Sequence, residues 1–266
     1  MAARPLAIVS AMHEELRALL PALSATQPVT LAGRHFHVGV MHGEPVVLVL
    51  SGIGKVAAAT TATLLIQAFD ARALVFTGVA GGLGAGVRVG DVVVARQLLQ
   101  HDMDASPLFP RFEVPLTGRS RFAADALLSV ALASASLRCM ARATELLGAA
   151  HMADFGITDP RVHEGLVLSG DRFVATAAES RALVDALPDA LAVEMEGAAL
   201  AQVCADFDRP FAVLRTISDR ADESAHTDFN RFIVDVASVY TRVIVSDWLD
   251  STSRATGVAF LLANRF

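Results

Sequence analysis

The sequence predicts an α/β fold, with a single domain in which helices flank a central, twisted, mixed β-sheet. Short apolar runs rich in β-branched residues end in glycine or polar residues, and they alternate with longer segments of helical period. Several of these runs are apolar on both faces, which is typical of central strands that helices cover on both sides. A chain of 266 residues that is 53% hydrophobic is long enough to bury such a core.

Eight runs are predicted to be strands because they are short, apolar and rich in β-branched residues. They cover residues 6–10, 35–41, 46–51, 73–78, 91–97, 165–170, 191–195 and 211–218. Four longer segments are predicted to be helices because their apolar residues recur with a helical period. They cover residues 55–69, 121–135, 196–207 and 229–249.

Two segments fall outside this pattern. Prolines exclude regular structure from residues 101–120, and long loops in compact domains tend to be lids or interface arms. Residues 251–266 have no capping signal and no periodic partner. We therefore predict one domain over residues 1–250 and a C-terminal tail of unknown role.

Charge and cysteine content narrow the function classes. A net charge of −6 with only 22 Lys and Arg residues gives no basic surface for nucleic acid, so a small molecule is the expected partner. Cys139 and Cys204 lack CxxC spacing, which indicates neither a disulfide framework nor a zinc site and favours the cytoplasm. The N-terminal apolar run is too short for a signal peptide, and no stretch approaches the roughly 20 apolar residues of a membrane span. A mean hydropathy of +0.48 favours surface hidden in an oligomer.

Ligands of open α/β sheets bind beyond the carboxyl ends of strands, so the residues after each predicted strand are candidates for a site. The first strand is followed by Met12, Glu14 and Glu15 in the first turn of a helix. Acids there complement the helix dipole, which accounts for Glu14. For Glu15 the sequence leaves both that role and a functional role open.

Glycine-rich turns, residues 50–55 and 77–86, follow two further strands. Glycine lets backbone amides approach a ligand, although a tight turn is the simpler alternative. The second turn contains Val79, Ala80 and Gly81 and lacks the acid about twenty residues on that grips ribose in a dehydrogenase. The sequence therefore disfavours a dinucleotide-dependent dehydrogenase.

The run AVEMEG places two carboxylates, Glu194 and Glu196, around Met195 at the junction of a strand and a helix. Strand alternation predicts that both acids point to one side, and two unpaired buried carboxylates would cost several kcal/mol. A vicinal diol fits them, since a carboxylate accepts two hydroxyl hydrogen bonds. Structural pairing with Arg215 or Lys55 is the alternative.

Two other strand ends carry candidate residues. Phe173 follows the strand predicted over residues 165–170, and it either stacks on a planar base or belongs to the core. Another strand ends in Arg215, Ser218 and Asp219. An aspartate beyond a hydrophobic strand and next to a pocket can serve as a general acid, and a helix N-cap is the alternative.

These motifs, in this order, resemble those of the nucleoside phosphorylase superfamily and, within it, the 5′-methylthioadenosine/S-adenosylhomocysteine nucleosidases. The resemblance covers residues 6–249, and its motifs are AMHEE, SGIGKVAAA, TGVAGGL, VGDVVVA, HDMDA, SGDRF, AVEMEGAALA and RTISDRAD. It implies hydrolysis of the N-glycosidic bond of a 5′-thio-substituted adenosine, a nucleosidase reaction that needs no cofactor and no metal. It also implies a homodimer.

The resemblance assigns the chemistry to four matched positions. Glu15 would activate the attacking water, and Asp219 would protonate the leaving adenine at N7. Met195 and Glu196 would hold the ribose hydroxyls. An oxocarbenium-like transition state needs these functions, because the leaving base must be neutralised and the cationic sugar stabilised while water enters on the far face.

The remaining matched positions would shape the pocket. Phe173 would stack on adenine while the backbone of Val174 meets its edge. Positions that support the water and the acid or line the pocket are Arg215, Ser218, Met12, Ala80, Gly81 and Phe229. Phe109 and Pro110 would close the pocket of a neighbouring subunit. One position departs from the family, since Val79 replaces the serine of many members and removes a hydroxyl near the water and the sugar.

Water is the predicted nucleophile. Phosphorylases of the superfamily carry an arginine in a glycine-rich turn after the first strand, whereas Glu14 and Glu15 here would repel a phosphate dianion. The alternatives are another purine-nucleoside hydrolase, such as a futalosine-like one, a phosphorylase of the same superfamily, or a non-catalytic nucleoside sensor. The set of Glu15, Glu196 and Asp219 argues against a sensor, which needs no acid.

Overall fold

The computed structural model describes residues 3–222 and 229–263. Ten strands within these residues form one mixed sheet. They are β1 (Leu6–Ser10), β2 (Ser24–Leu31), β3 (Arg34–Met41), β4 (Glu44–Leu50), β5 (Ala73–Gly82), β6 (Val92–Gln100), β7 (Arg121–Ala123), β8 (Val162–Ser169), β9 (Ala190–Glu194) and β10 (Phe211–Asp219). The helices are α1 (His13–Leu19), α2 (Lys55–Gln67), α3 (Ala126–Met140), α4 (Ala143–Asp154), α5 (Ala177–Ala186), α6 (Gly197–Asp206), α7 (Phe229–Phe232) and α8 (Ser238–Ala263).

The sheet is open at one end and closed into a ring at the other. Its strand order is β10-β6-β8-β9-β5-β1-β4-β3-β2, with β7 beside β6 and an additional pairing between β10 and β5. That pairing closes β10, β6, β8, β9 and β5 into a ring, from which β1, β4, β3 and β2 extend. The predicted mixed α/β sheet is confirmed, and all eight predicted strands are present, the first with the predicted bounds and the other seven with shifted ends. The sequence did not predict the ring.

The apolar core lies on both faces of the sheet. In β1, Leu6 and Ile8 join one buried cluster together with residues of α1, α3 and α8, whereas Ala7 and Val9 join another with residues of α2 and α6. Successive strand residues point to opposite faces, so a strand covered on both sides is apolar at every position. This is why the strand runs of the sequence lack alternation.

The helix predicted over residues 121–135 is wrong at its beginning. Its first residues form β7, and Asp125 then caps α3 because its carboxylate accepts the Leu128 N–H at 2.9 Å. An N-cap carboxylate satisfies an amide that has no partner within the helix. This cap fixes the start of the helix at Ala126.

Sequence patterns missed β2, α4 and α5. The strand β2 is exposed along its whole length and carries Pro28, which is tolerated because the strand lies at the edge of the sheet. The helix α5 has no buried residue, and α4 is interrupted at Gly148, where φ is 78°. Elements without a continuous buried face give no hydrophobic period to detect.

The C-terminal helical region also differs from the prediction. A π-helical segment, Ile233–Ala237, separates α7 from α8, and such segments are frequent at functional sites. The helix α8 crosses the predicted domain end at residue 250 and continues to Ala263. Residues 264–266 of the predicted tail lie outside the described residues. The division of the chain at residue 250 stays a prediction.

Helix length bears on the predicted absence of a membrane partner. Among the described residues, no single helix is long and apolar enough to cross a membrane. The helices α3 and α4 meet the length and hydropathy limits only as a pair bent by 62°. Both contribute side chains to the buried core, such as Leu132 and Leu147.

Candidate active site

A cavity of about 170 Å³ opens near the ends of six strands. Residues at or near the carboxyl ends of β1, β4, β5, β8, β9 and β10 contribute to it, together with the start of α7. Most of the predicted binding residues line it, namely Met12, Val79, Ala80, Gly81, Phe173, Val174, Glu194, Met195, Glu196, Ser218, Asp219 and Phe229. An apolar cavity with a few convergent polar groups is the usual form of a small-molecule site.

The strand ends converge because of how β5 is paired. The strands β5 and β9 run in opposite directions and pair only near their carboxyl ends, where Gly81 lies opposite Val193. The strand β10 runs parallel to β5 on its other edge, and there Asp219 pairs with Gly81. The carboxyl ends of all three strands therefore meet, which brings Asp219 close to the AVEMEG run.

Gly81 permits the close approach at this junction. A Cβ at this position would lie 2.8 Å from the Cβ of Ala221 and 2.9 Å from Oδ1 of Asp219. Both distances are shorter than packed atoms tolerate, so a larger residue would displace the Asp219 carboxylate. The glycine of the TGVAGGL turn thus has a steric role in shaping the site.

Two donors fix the Asp219 carboxylate at the cavity. The Ser218 Oγ hydroxyl donates to Oδ2 at 2.7 Å, and the Ala221 N–H donates to Oδ1 at 2.8 Å. Asp219 is 7% exposed, so it can reach a ligand in the cavity without being open to bulk water. Residues 220–222, the last described before Phe229, are not helical, so these residues give no support to the N-cap alternative.

Glu194 is neutralised by a buried arginine. Its Oε2 lies 2.7 Å from Nη2 of Arg215, and both side chains are almost fully inaccessible to solvent. The Ser169 hydroxyl and the Gly197 N–H also donate to this carboxylate. For Glu194 the structural alternative is therefore the correct one. Glu194 lines the cavity, but its charge is already paired.

Arg215 is paired with Glu194, and its charge also acts at longer range on Glu15 and Glu196. It does not line the cavity, and it is fully buried with its guanidinium over the ring of Phe76 at 4.2 Å. Its Nη1 donates to two backbone carbonyls, those of Phe76 and Leu214. The predicted support of a water molecule by Arg215 stays a prediction.

Glu196 has a different environment from Glu194, although only one residue separates them. The strand β9 ends at Glu194, and Glu196 is the N-cap residue of α6 with φ −134° and ψ −41°. The chain has left the extended conformation there, so the predicted alternation does not apply. Burial raises the pKa of Glu196 to about 7, and the nearby charge of Glu194 adds to this effect.

A turn after β4 positions the Glu196 carboxylate. The Gly54 N–H donates to Oε1 of Glu196 at 2.9 Å. Gly54 has φ +90°, and a Cβ there would lie 3.0 Å from Oδ1 of Asp171. Asp171 accepts the Lys55 N–H at 2.7 Å, and Lys55 Nζ lies 2.7 Å from Asp102. The predicted alternative of a Lys55 pair with the AVEMEG acids is therefore wrong.

Glu15 is the most deeply buried of the candidate acids. It has no solvent-accessible surface, and it is connected to the cavity through Met12, whose N–H donates to Oε2 at 3.3 Å. Thr241 of α8 donates its hydroxyl to Oε1 at 2.8 Å. Burial raises the pKa of Glu15 to about 7, while the Thr241 hydrogen bond and the charge of Arg215 oppose that rise.

Phe173, Phe109 and Pro110 differ in their position relative to the cavity. Phe173 lines the cavity and is 42% exposed, which leaves its ring accessible for stacking. Phe109 and Pro110 do not line this cavity and belong to the irregular tract 101–120. That tract exposes Leu108 by 83%, so its predicted contact with a neighbouring subunit stays a prediction.

Several contributing residues escaped the sequence analysis, of which three have a clear contact. Ser169 binds Glu194, Thr241 binds Glu15, and Ile53 lines the cavity beyond β4. A serine at the end of an apolar strand run and a threonine within an apolar helix were the available signals. Neither signal identifies a partner, because the contacts join distant parts of the chain. Among the described residues, no group of three or more His, Cys, Asp or Glu side chains is arranged to hold a metal ion.

The fold and the cavity define the class of protein, an α/β enzyme with an acidic small-molecule site. The model of the phosphorylase superfamily matches residues 5–246. The 5′-methylthioadenosine/S-adenosylhomocysteine nucleosidase of Shewanella pealeana is 32% identical over 227 residues, which are 85% of this chain and 91% of that protein.

Solved structures show the same likeness. The 5′-methylthioadenosine/S-adenosylhomocysteine nucleosidase of Neisseria meningitidis, in complex with methylthio-immucillin-A, has a TM-score of 0.81 and 34% identity, covering 94% of this chain and all of that one. The futalosine hydrolase of Helicobacter pylori has a TM-score of 0.78 and 31% identity, covering 93% of this chain and 98% of that one. The chain therefore belongs to the phosphorylase superfamily and, within it, to the 5′-methylthioadenosine/S-adenosylhomocysteine nucleosidase family.

Proposed function

We propose that the chain hydrolyses the N-glycosidic bond of 5′-methylthioadenosine, S-adenosylhomocysteine or both, and releases adenine and the 5′-thio-substituted ribose. The main support is the placement of three acids at one cavity. Glu196 and Asp219 line it, and Glu15 is buried behind Met12. Family membership adds the nucleoside as the substrate class.

Asp219 serves as the general acid. Its carboxyl lies at the cavity, where Ser218 and Ala221 fix its orientation, and it donates a proton to N7 of adenine as the C1′–N9 bond breaks. Protonation neutralises the departing purine, which otherwise leaves as an anion. General acid catalysis of this kind contributes about 10²- to 10⁴-fold in rate.

Glu196 binds the sugar. Its Oε1 accepts the Gly54 N–H, and its carboxylate lies at the cavity beside Met195. A carboxylate accepts the hydrogen bonds of two ribose hydroxyls. Its negative charge also stabilises the oxocarbenium-like sugar, which carries positive charge only in the transition state.

Glu15 serves as the general base. A carboxylate with a pKa of about 7 is matched to proton abstraction near neutral pH. It removes a proton from the water as the water oxygen bonds to C1′ of the sugar. Asp219 has then lost one proton and Glu15 has gained one, so the net charge of the site is unchanged, and proton exchange with solvent restores both acids after the products leave.

The charges near Glu15 favour water over phosphate as the nucleophile. Among the described residues, Arg215 is the arginine whose charge acts most on Glu15, and Glu194 already neutralises it. Glu14 and Glu15 both begin α1, where a phosphate dianion would meet like charge. Hydrolysis therefore fits the described site better than phosphorolysis.

We also propose the homodimer that the sequence analysis expects. Exposed apolar side chains occur near the cavity mouth and in the 101–120 tract, such as Ile53, Val56 and Leu116. Clustered exposed apolar surface of this kind is typical of protein interfaces. The location in the cytoplasm stays a prediction, and a role in methionine salvage is a further proposal.

A purine-release assay, which measures adenine or hypoxanthine according to the substrate, tests the function. The substrates are methylthioadenosine, S-adenosylhomocysteine, 5′-deoxyadenosine, inosine and futalosine, each with and without phosphate. We expect phosphate-independent release of adenine from the two thio-nucleosides. A requirement for phosphate would overturn the choice of nucleophile, and preferential cleavage of futalosine would favour the other hydrolase.

The variant Asp219→Asn, which keeps the shape of the side chain, should lose at least about 100-fold in kcat and remain folded.

A further inference from the structure

One side-chain hydrogen bond joins the start of the chain to its last helix. Thr241 Oγ1 lies 2.8 Å from Oε1 of Glu15, and the two residues are 226 positions apart. Both are buried, Glu15 completely and Thr241 to within 1% of its surface. A hydroxyl donor at this distance is well placed for a charge-assisted hydrogen bond.

Thr241 differs from other hydroxyl residues of the helices in having a carboxylate as its acceptor, since Thr61, Ser129 and Ser180, which also reach outside their helices, donate to backbone carbonyls. Thr60, Thr63, Ser136 and Ser238 each donate to the carbonyl four residues earlier, which is the local hydrogen bond available to a helical hydroxyl. Thr241 instead donates across the interface of α1 and α8 to a carboxylate. The choice of acceptor indicates a role outside its own helix.

The backbone before Thr241 is irregular as well. The π-helical segment Ile233–Ala237 ends four residues before Thr241, and it packs against α1. A π-helical segment rotates the residues that follow it relative to a regular helix. It therefore sets the direction in which the Thr241 hydroxyl points.

The surroundings of Glu15 make this donor important. Besides Thr241, the groups that act on the carboxylate are the Met12 N–H, the charge of Arg215 from β10 and the charge of Glu14 from its own helix. Arg215 is already paired with Glu194. The helical segments packed against α1 also carry charged side chains, among them Asp235, which is partly exposed, and Arg242, which is exposed. The hydroxyl of Thr241 is thus the closest side-chain donor that stabilises the ionised form of Glu15.

We infer that Thr241 is a positioning residue for the hydrolytic reaction, which orients the Glu15 carboxylate and holds it in the ionised form that can accept a proton from water. This inference rests on the proposed function, in which Glu15 is the base. Loss of the donor leaves a buried carboxylate with fewer hydrogen bonds, so Glu15 takes up a proton at a higher pH. Without the donor, the rate of hydrolysis should fall at pH values at which Glu15 is protonated and recover at pH values at which it is ionised.

The test compares Thr241→Val with Thr241→Ser across the pH range. The pH profile of kcat/KM for adenine release from methylthioadenosine should have an acidic limb near pH 7 in the unchanged enzyme. Thr241→Val should move that limb upward by about one unit, because a hydrogen bond to a charged group has this effect. The rate at pH 9 should return to within about threefold of the unchanged enzyme. Thr241→Ser keeps the hydroxyl and should restore the original limb.

Three controls separate the possible outcomes. Ser238→Ala removes a hydroxyl from the same helix that donates only to the Val234 carbonyl, and it should leave the limb in place. A uniform loss of rate with Thr241→Val at every pH, with the limb unmoved, would show a packing role and overturn the inference. If Thr241→Val is unfolded, Thr241→Ala replaces it in the same comparison. An unchanged rate in Glu15→Gln would instead overturn the proposed function.

Discussion

Glu194 and Glu15 are both buried carboxylates, but their electrostatic environments are opposite. Glu194 is paired with Arg215 and accepts further hydrogen bonds from Ser169 and Gly197. Glu15 has hydroxyl and amide donors but, within the described part of the chain, no cation at ion-pair distance, and burial raises its pKa to about 7. The difference teaches that burial alone does not identify a functional acid. Full pairing indicates a structural acid, and incomplete pairing next to a cavity indicates a reactive one.

Of the two acids, only the unpaired one lowers the stability of the unchanged protein. A paired buried charge is destabilising mainly when one partner is removed, because the other is left uncompensated. An unpaired buried carboxylate destabilises the fold whenever it is ionised. Removal of these two kinds of acid should therefore have opposite effects on the free energy of unfolding.

The largest expected effect on stability comes from Glu194→Ala. This variant leaves the charge of Arg215 buried without its carboxylate, so the free energy of unfolding should fall by about 3–5 kcal/mol. Urea denaturation measures this loss. The matched control is Glu164→Ala, which removes an exposed partner of Arg96 and should cost about 1 kcal/mol or less. Equal losses in the two variants would contradict the structural role of Glu194.

The second prediction concerns the pH dependence of stability. The folded-state pKa values of Glu15 and Glu196, about 7, lie above the value of about 4.5 expected in the unfolded chain. The folded protein therefore binds more protons between these pH values, and its stability should fall as the pH rises from about 4.5 to about 7. The fall should reach about 3 kcal/mol for each carboxylate.

Denaturation at several pH values measures this effect, with Glu196→Gln as the comparison. The amide carries no charge to bury, so the fall in stability between pH 5 and pH 8 should be smaller in this variant. The stabilisation from acids whose pKa is lowered, such as Asp102 and Asp189, is lost only below about pH 4. It therefore does not contribute to the change between pH 5 and pH 8. Identical pH curves for the two proteins would contradict the electrostatic environment assigned to Glu196.

A smaller effect is expected on substrate binding when the carboxylate of Glu196 is removed. The variant Glu196→Gln should reduce kcat/KM for methylthioadenosine by about 10- to 100-fold, since it weakens charge-assisted hydrogen bonds to the ribose. Binding of free adenine, which has no ribose, should change by less than about threefold. Adenine-release kinetics and calorimetry with adenine measure the two quantities. Equal losses for both ligands would indicate a structural acid like Glu194.

Sequence patterns were sufficient for the strands and for most of the cavity. The central strands are predictable because they are buried on both faces and therefore continuously apolar, as β1 shows with four adjacent buried residues, whereas the exposed edge strand β2 and the short β7 were not predicted. The cavity residues are predictable because they follow strand ends, and the family resemblance covers nearly the whole chain. The closure of β10 onto β5 is not predictable in this way, because hydrophobic periods do not specify which strands pair.

The division between Glu194 and Glu196 could not be read from the sequence either. A regular strand through Glu196 would place both acids on one side, but β9 ends at Glu194 and Glu196 begins α6. The partners of the two acids, Arg215 and Gly54, come from distant parts of the chain. Only the three-dimensional pairing shows which carboxylate is neutralised.

The most direct test of this account is the variant Glu15→Gln, measured at pH 8 for both adenine release and unfolding. We expect a loss of at least about 100-fold in the rate of adenine release from methylthioadenosine, because the base is removed. The free energy of unfolding should be equal to or higher than that of the unchanged protein, because a buried negative charge is removed. The account would be contradicted by a folded variant with an undiminished rate of adenine release. It would also be contradicted if the rate fell together with a loss in the free energy of unfolding as large as that of Glu194→Ala.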